Sequence, residues 1–479
     1  MVKRVITHLA LAGLSSAIIF TAGCSKPSGL DPDLARFVAD KRVEVQELAQ
    51  AQTNEVPEHV WRFFDAVQQN DFRGASNWFE ELRVEGGHVR PVSKPVPGFL
   101  GKLWAWVKSF FKSHGLGAGP LSPFFRSAAW PVLVETYGTF EQFNSWDSKW
   151  LHRFGRDVIS SIPTNSIYFG GTDPGRFIIS ALSESQREGR PFFTVTQNQF
   201  ADGTYLECLR TIYGAKLYIP TAADMEHAFQ DYIKDAQHRY ETGKLRPGED
   251  FRMTSGRVQV SGQVAVMDIN GRIAKILVEK NPDHEFYVEE SFPLDWMYPQ
   301  LSPHGLILKL NPNPLPELNE DVVRKDRDYW NRYVKELIGE NFAGDTTVNE
   351  ACDFVKKVYV EKYLAGFKGD PTFLKDEAAR KCYSKLRSSI GGLYVWRAKH
   401  AKAKAEEERM RKEADLAFNQ AFALCPTSPE AVFRYVNLLL DQDRQAEAMR
   451  IAELSLRLDP LNAAMHSLAD RLSKPGTKP

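Results

Sequence analysis

Small residues and a closing proline return at a fixed interval near the carboxyl end of this chain. Ala414, Phe418, Ala421 and Pro426 are followed, each thirty-four residues later, by Ala448, Ala452, Ser455 and Pro460. Such an interval limits the fold strongly, because each unit can bury its apolar face only against its neighbours. Small side chains let two antiparallel helices approach closely, while proline ends one helix and begins the next turn. The spacing predicts stacked helical hairpins over residues 390–475.

The stretch 429–462 resembles one complete tetratricopeptide repeat. Tyr435 and Val436 stand where that family has a Leu-Gly pair, Leu439 takes its aromatic place, and Ala448 matches its second-helix alanine. The resemblance implies an extended concave surface that docks another protein. Residues 347–367 and 371–401 are also helical by periodicity, with a break expected at Gly391-Gly392. An all-helical domain is therefore expected over 326–475. Lys402, Lys404, Glu406, Glu407, Glu408, Arg409, Arg411 and Lys412 read as the solvated face of a long helix within it. At the other end, 34–98 is expected to be helical. There Asn70-Asp71-Phe72, Ala75 and Phe79 are similar to the turn and second helix of a tetratricopeptide hairpin.

Lys3 and Arg4 precede an apolar run from Ile6 to Phe20, and Thr21-Ala22-Gly23-Cys24 follows. A short apolar core behind positive charge and ending in small residues reads as a secretory signal rather than a spanning helix. Its ending resembles the lipobox of bacterial lipoproteins, with Thr21 in place of the usual Leu. That resemblance implies lipid attachment at Cys24, a signal over 1–23 and a tether over 24–33. Ser25 implies outer-membrane sorting, facing the periplasm. Multiple acylation would anchor the chain stably where a single acyl chain holds only marginally.

Lysines and arginines number 61 and balance 61 acidic residues, so no net field draws nucleic acid to the chain. Cys208, Cys352, Cys382 and Cys425 lack a C-x-x-C spacing. They read as buried free thiols, although an oxidising compartment would permit disulfides. No sequence pattern implies a cofactor or a metal, and no catalytic residue can be assigned.

The middle of the chain reads differently. Apolar runs at 166–170, 191–196, 216–219, 286–288 and 306–310 are strand-sized, and helical stretches at 177–187, 222–240 and 264–279 separate several of them. This alternation predicts an α/β domain over 150–325, a three-layer, mostly parallel sheet flanked by the helical hairpins. Before it, 99–149 is expected to hold an amphipathic helix at 99–112 and a linker.

Ligands in open α/β sheets sit at the carboxyl ends of strands, where helix N-termini offer free N–H groups to anions. The candidate binding residues are therefore Thr172, Asp173 and Arg176 after the first strand, Gln197 and Asn198 after the second, and Glu289. Asp173 and Pro174 equally suit simple helix capping, with Asp173 as the cap. Glu289 and Glu290 stand beside three aromatics, as in glycoside chemistry, but adjacent residues on a strand should point to opposite faces.

The runs Ser166 to Asp173, Tyr205 to Arg210 and Gly305 to Leu310 together resemble the soluble periplasmic region of protein O-mannosyltransferase-like membrane proteins. Those relatives hold their catalytic machinery in membrane helices that have no counterpart here. The resemblance implies envelope glycan or glycoprotein handling. The expected function is a lipid-anchored scaffold or adaptor that binds a protein partner through its repeats. The alternatives are an envelope carbohydrate-active enzyme or a solute-binding lipoprotein, with a glycan ligand in the central domain.

Overall fold

A computed structural model describes residues 29–52, 54–86, 124, 127–254, 257–340, 342 and 344–473. The signal, Cys24 and the 99–112 segment lie outside them. No described helix is long and apolar enough to cross a membrane. The seven strands among these residues are β1 (Ile167–Gly170), β2 (Phe193–Val195), β3 (Asp250–Thr254), β4 (Arg257–Ser261), β5 (Phe286–Glu289), β6 (Leu301–His304) and β7 (Ile307–Leu310). The chain divides into two units, 1–144 with 198–281, and 145–197 with 282–479. The stretch 150–325 is thus shared between them, while 326–473 belongs with β1, β2 and β5–β7.

The first unit is helical, with the β3–β4 hairpin added. Helix Phe72–Glu85 begins where Asp71 accepts the Gly74 N–H at 2.9 Å, after Asn70 turns through a left-handed φ of 56°. Ala75 and Phe79 face inward, and Phe79 stacks on Tyr137 with ring centroids 4.1 Å apart. Lys41 is buried between Glu44 and Glu135, each 2.8 Å from its ammonium, and both carboxylates offset its loss of water. Elsewhere in the unit, Tyr232, Ala236, Phe251 and Ala265 form a separate core beneath the hairpin.

The expected strand at 216–219 is absent. Leu217 and Ile219 are buried as a strand would bury them, but Tyr218 has a side chain for a partner instead of a neighbouring strand. Asn281 accepts the Tyr218 N–H and donates to its carbonyl, both at 2.9 Å, satisfying the backbone groups that a ladder would use.

The second unit holds a five-stranded sheet in the order β2-β1-β5-β7-β6. β1 runs parallel to β2 and β5, whereas β7 is antiparallel to both β5 and β6. The sheet is therefore mixed rather than mostly parallel. The cause is local: only Gly305 and Leu306 connect β6 to β7, and so short a link can join only antiparallel strands. Between β1 and β2, helix Asp173–Leu182 supplies the crossover that a parallel pair needs.

Eight α-helices follow this sheet, from Glu320–Ile338 to Ala463–Leu472 among the described residues. Helix Glu377–Lys399 runs unbroken through Gly391-Gly392, against the expected break. A Cβ at Gly391 would come within 2.7 Å of the Phe418 ring, so the missing side chain permits close helix packing rather than a stop. Pro429–Asp441 and Gln445–Leu458 form a hairpin that buries Tyr435, Val436, Leu439, Ala448, Ala452 and Ser455. Sheet and helices share one core: the Arg397 guanidinium donates to the carbonyls of Leu315, Pro299 and Leu301 at 2.6 to 3.0 Å.

Candidate functional site

The carboxyl ends of β1 and β5 lie side by side, with Gly170 in register with Glu289. Beyond β1 the chain turns through Gly171 and Thr172 into helix Asp173–Leu182. Thr172, not Asp173, is its N-cap: the threonine hydroxyl accepts the Gly175 N–H at 3.1 Å. Asp173 occupies the first helical turn, where its charge favours the helix dipole. Tyr168 ties this turn to the sheet by donating its hydroxyl to the Gly175 carbonyl at 2.8 Å.

The anion expected at this helix N-terminus is supplied by the protein. Glu289 accepts the Thr172 hydroxyl at 2.7 Å and the Thr172 N–H at 3.0 Å. Its side chain is fully buried, which pushes its pKa up, and the hydrogen bonds from Thr172 and Gly171 pull it back. Glycine is required at Gly175, where a Cβ would lie 1.7 Å from a Glu289 carboxylate oxygen.

Glu290 corrects the expectation of opposite faces. β5 ends at Glu289, so the two-residue alternation stops there and both side chains turn inward. A Cβ on Gly171 would lie 1.9 Å from Glu290 Oε2, which places this second carboxyl against the same β1 turn. Glu290 accepts from the Phe292 N–H at 3.2 Å and from Gln197 Nε2 at 3.4 Å. Burial, and then the neighbouring Glu289 charge, push its pKa up to about 8. This shift favours the protonated form of Glu290. Gln197 is fully buried and its Oε1 has no hydrogen-bond partner. Turning the amide end for end would offer that oxygen to the protonated carboxyl.

Basic groups arrive from the distant helices. Lys385 lies close enough to oppose the upward shifts of both glutamates, and its ammonium pairs with Glu430 at 2.9 Å. Ser389 donates to the Glu290 carbonyl at 2.6 Å. Arg434 lies over the Phe292 ring, 4.3 Å from its centroid, and donates to Ser388 Oγ at 2.9 Å and to the Ser291 carbonyl.

Of the expected site residues, Thr172, Asp173, Gln197 and Glu289 gather around the β1 and β5 ends. Arg176 lies on the same helix, with its guanidinium 4.0 Å from the Phe177 ring centroid. Asn198 belongs to the other unit, where its carbonyl accepts from Asn270 Nδ2 at 3.2 Å. The sequence reading did not mark Lys385, Ser389 or Arg434, and it expected Glu290 to point away from Glu289. Glu290 was visible beside Glu289, and the end of the strand was the signal that could have found it. The other three sit on helices about 95 to 145 residues downstream, without any local mark.

Chemically, the arrangement sets two buried carboxyl groups side by side, and burial raises the pKa of both. Glycoside hydrolysis instead places its carboxyl groups on either side of a scissile bond. Both Glu289 oxygens here are held by Thr172. His284 and His304 bond separately to the carbonyls of Asn165 and Ser161, at 2.6 and 2.7 Å. Cys208, Cys352, Cys382 and Cys425 are buried free thiols, and burial pushes those of Cys208, Cys352 and Cys382 up. In comparisons with family models, curated proteins and solved structures, no match to this chain is found.

Proposed function

We propose that this protein is a lipid-anchored, periplasm-facing scaffold, tethered at Cys24, that docks a protein partner through tetratricopeptide-like hairpins in envelope glycan or glycoprotein handling. The hairpin Pro429–Asp441/Gln445–Leu458 carries this reading. Its repeat-spaced residues Ala448, Ala452 and Ser455 are all buried, the use that the thirty-four-residue interval requires. The hydrogen bonds from Thr172 to Glu289 at the start of helix Asp173–Leu182 also favour a scaffold, since this carboxyl fills the position that a ligand anion would take. The reading is tested by cross-linking in envelope fractions. Deleting residues 429–473 should abolish capture of a defined partner while Thr172→Val leaves it intact. Retained capture after the deletion removes the proposal. Radiolabelled palmitate should enter the chain and fail to enter Cys24→Ala.

A second reading, that the sheet-bearing unit handles a glycan as an enzyme or solute receptor, is favoured by the buried Glu290 carboxyl beside Gln197, whose Oε1 has no hydrogen-bond partner. Calorimetric titration with envelope oligosaccharides should then show binding that Gln197→Leu weakens. Absence of binding excludes it.

A further inference from the structure

The helix Val348–Val355 does not end in an ordinary cap. It widens into a π-helical turn, Lys356–Val360, closed by Glu361 N–H on the Lys356 carbonyl at 2.9 Å and Tyr363 N–H on the Lys357 carbonyl at 3.0 Å. The base of this turn is fixed. Val358 is buried, and Tyr359 donates its hydroxyl towards the carbonyls of Ala423 and Leu424 at 2.9 and 3.0 Å. Beyond it the chain projects: all six residues from Glu361 to Gly366 are exposed, and left-handed φ values at Lys362 and Gly366 turn the loop back.

The tip carries Tyr363 and Leu364, 56% and 41% exposed, the one adjacent pair of exposed large hydrophobics among the described residues. Four exposed lysines surround it, Lys356, Lys357, Lys362 and Lys368, against a single loop carboxylate, Glu361, which Lys356 meets at 3.6 Å. Lys357 holds its ammonium 5.6 Å from the Tyr363 ring centroid. On the neighbouring helix end, Lys335 stands with Glu336 and Glu340, and Arg153 pairs with Glu336 at 2.5 Å, so the four loop lysines keep the excess positive.

We propose that this loop is a membrane-surface contact that seats on an anionic bilayer. Tyr363 and Leu364 enter the boundary between headgroups and acyl chains, and the lysines face lipid phosphates. Tyrosine suits that boundary because its ring is apolar and its hydroxyl polar, and lysine stems cover apolar surface while their ammonium groups stay hydrated. The composition fits lipid better than protein. Two side chains are far too small a patch for the roughly 1,000 Å² of a stable protein interface, and lysine is depleted from such interfaces. A contact of this size binds weakly and reversibly by itself, and it requires no acylation at Cys24.

Leu364→Cys in the full chain, labelled with an environment-sensitive dye, tests this directly. The four described native cysteines are buried, and an unsubstituted chain gives the background from Cys24. Vesicles containing phosphatidylglycerol should shift the dye emission to the blue, and phosphatidylcholine vesicles should shift it little. High salt should reverse the shift, and Lys357→Glu with Lys362→Glu should weaken partitioning about tenfold or more. The same dye at Leu461→Cys, a position 93% exposed, should not respond. No blue shift on anionic vesicles overturns the proposal, as does an equal shift at both dye positions. A shift that appears only on adding envelope protein also overturns it, and assigns the loop to a protein partner.

Discussion

Glu289 and Thr172 lie 117 positions apart in sequence, yet the carboxylate of one receives both the hydroxyl and the backbone N–H of the other, at 2.7 and 3.0 Å. This pair joins the end of β5 to the start of the helix that crosses from β1 to β2. It fills with protein a position that otherwise attracts anions.

Removing the acceptor leaves buried donors without partners. Glu289→Ala should destabilise the fold by about 2–4 kcal/mol, and Glu289→Gln, which keeps one carbonyl oxygen, by less. Thr172→Val, which loses the cap and one hydrogen bond but keeps the N–H, should fall between them at about 1–2 kcal/mol. Urea unfolding followed by circular dichroism gives the order. Equal effects of all three changes would show that Glu289 does not act through Thr172.

Glu290 gives the fold a pH dependence of definite sign. Its folded pKa, about 8, stands above the ordinary 4.5, so between these values the folded state holds a proton that the unfolded state has released. Stability therefore falls as pH rises from about 4.5 to 8 and levels off above, with a total loss of up to about 5 kcal/mol from this group. Glutamine resembles the protonated acid and cannot ionise. Glu290→Gln should raise the melting temperature at pH 8 and change it little at pH 4.5. An increase of the same size at both pH values contradicts the assignment.

Among the helices, Arg387 and Asp326 form a fully buried pair at 2.8 Å. Tyr394 donates to the same aspartate oxygen at 2.7 Å, and Gln420 accepts from Arg387 Nε at 2.7 Å. Asp326→Ala alone should cost about 3–5 kcal/mol, because the guanidinium would remain buried without its counter-charge. Combining Asp326→Leu with Arg387→Met should recover most of that loss. A double-mutant cycle in denaturant measures the coupling, and additive effects would refute it.

Ala452 is buried in the last long hairpin, thirty-four residues after Phe418. Ala452→Leu should force its helices apart and cost about 1–3 kcal/mol. Hydrogen exchange should rise in residues 429–472 and stay unchanged in β1 and β5. Exchange that rises equally in all these segments would mean that the hairpin does not respond as a local unit.

The sequence alone determined what a few neighbouring residues can decide. The interval from Ala414 to Ala448 places the carboxyl-terminal helices, and the apolar runs mark four of the sheet's five strands. Thr172-Asp173-Pro174 marks the helix start within one residue. These signals are local, because a helix face or a strand face repeats within one or two turns of chain. Tertiary structure decided the rest. It set β7 antiparallel to β6 through a two-residue link, and replaced an expected strand with the Asn281 amide on Tyr218. It also kept a helix intact at Gly391 by giving the glycine a ring to pack against. Most of all, it buried the side chains of both Glu289 and Glu290. Their shared burial depends on helices about 95 to 145 residues away, and no local pattern carries that desolvation.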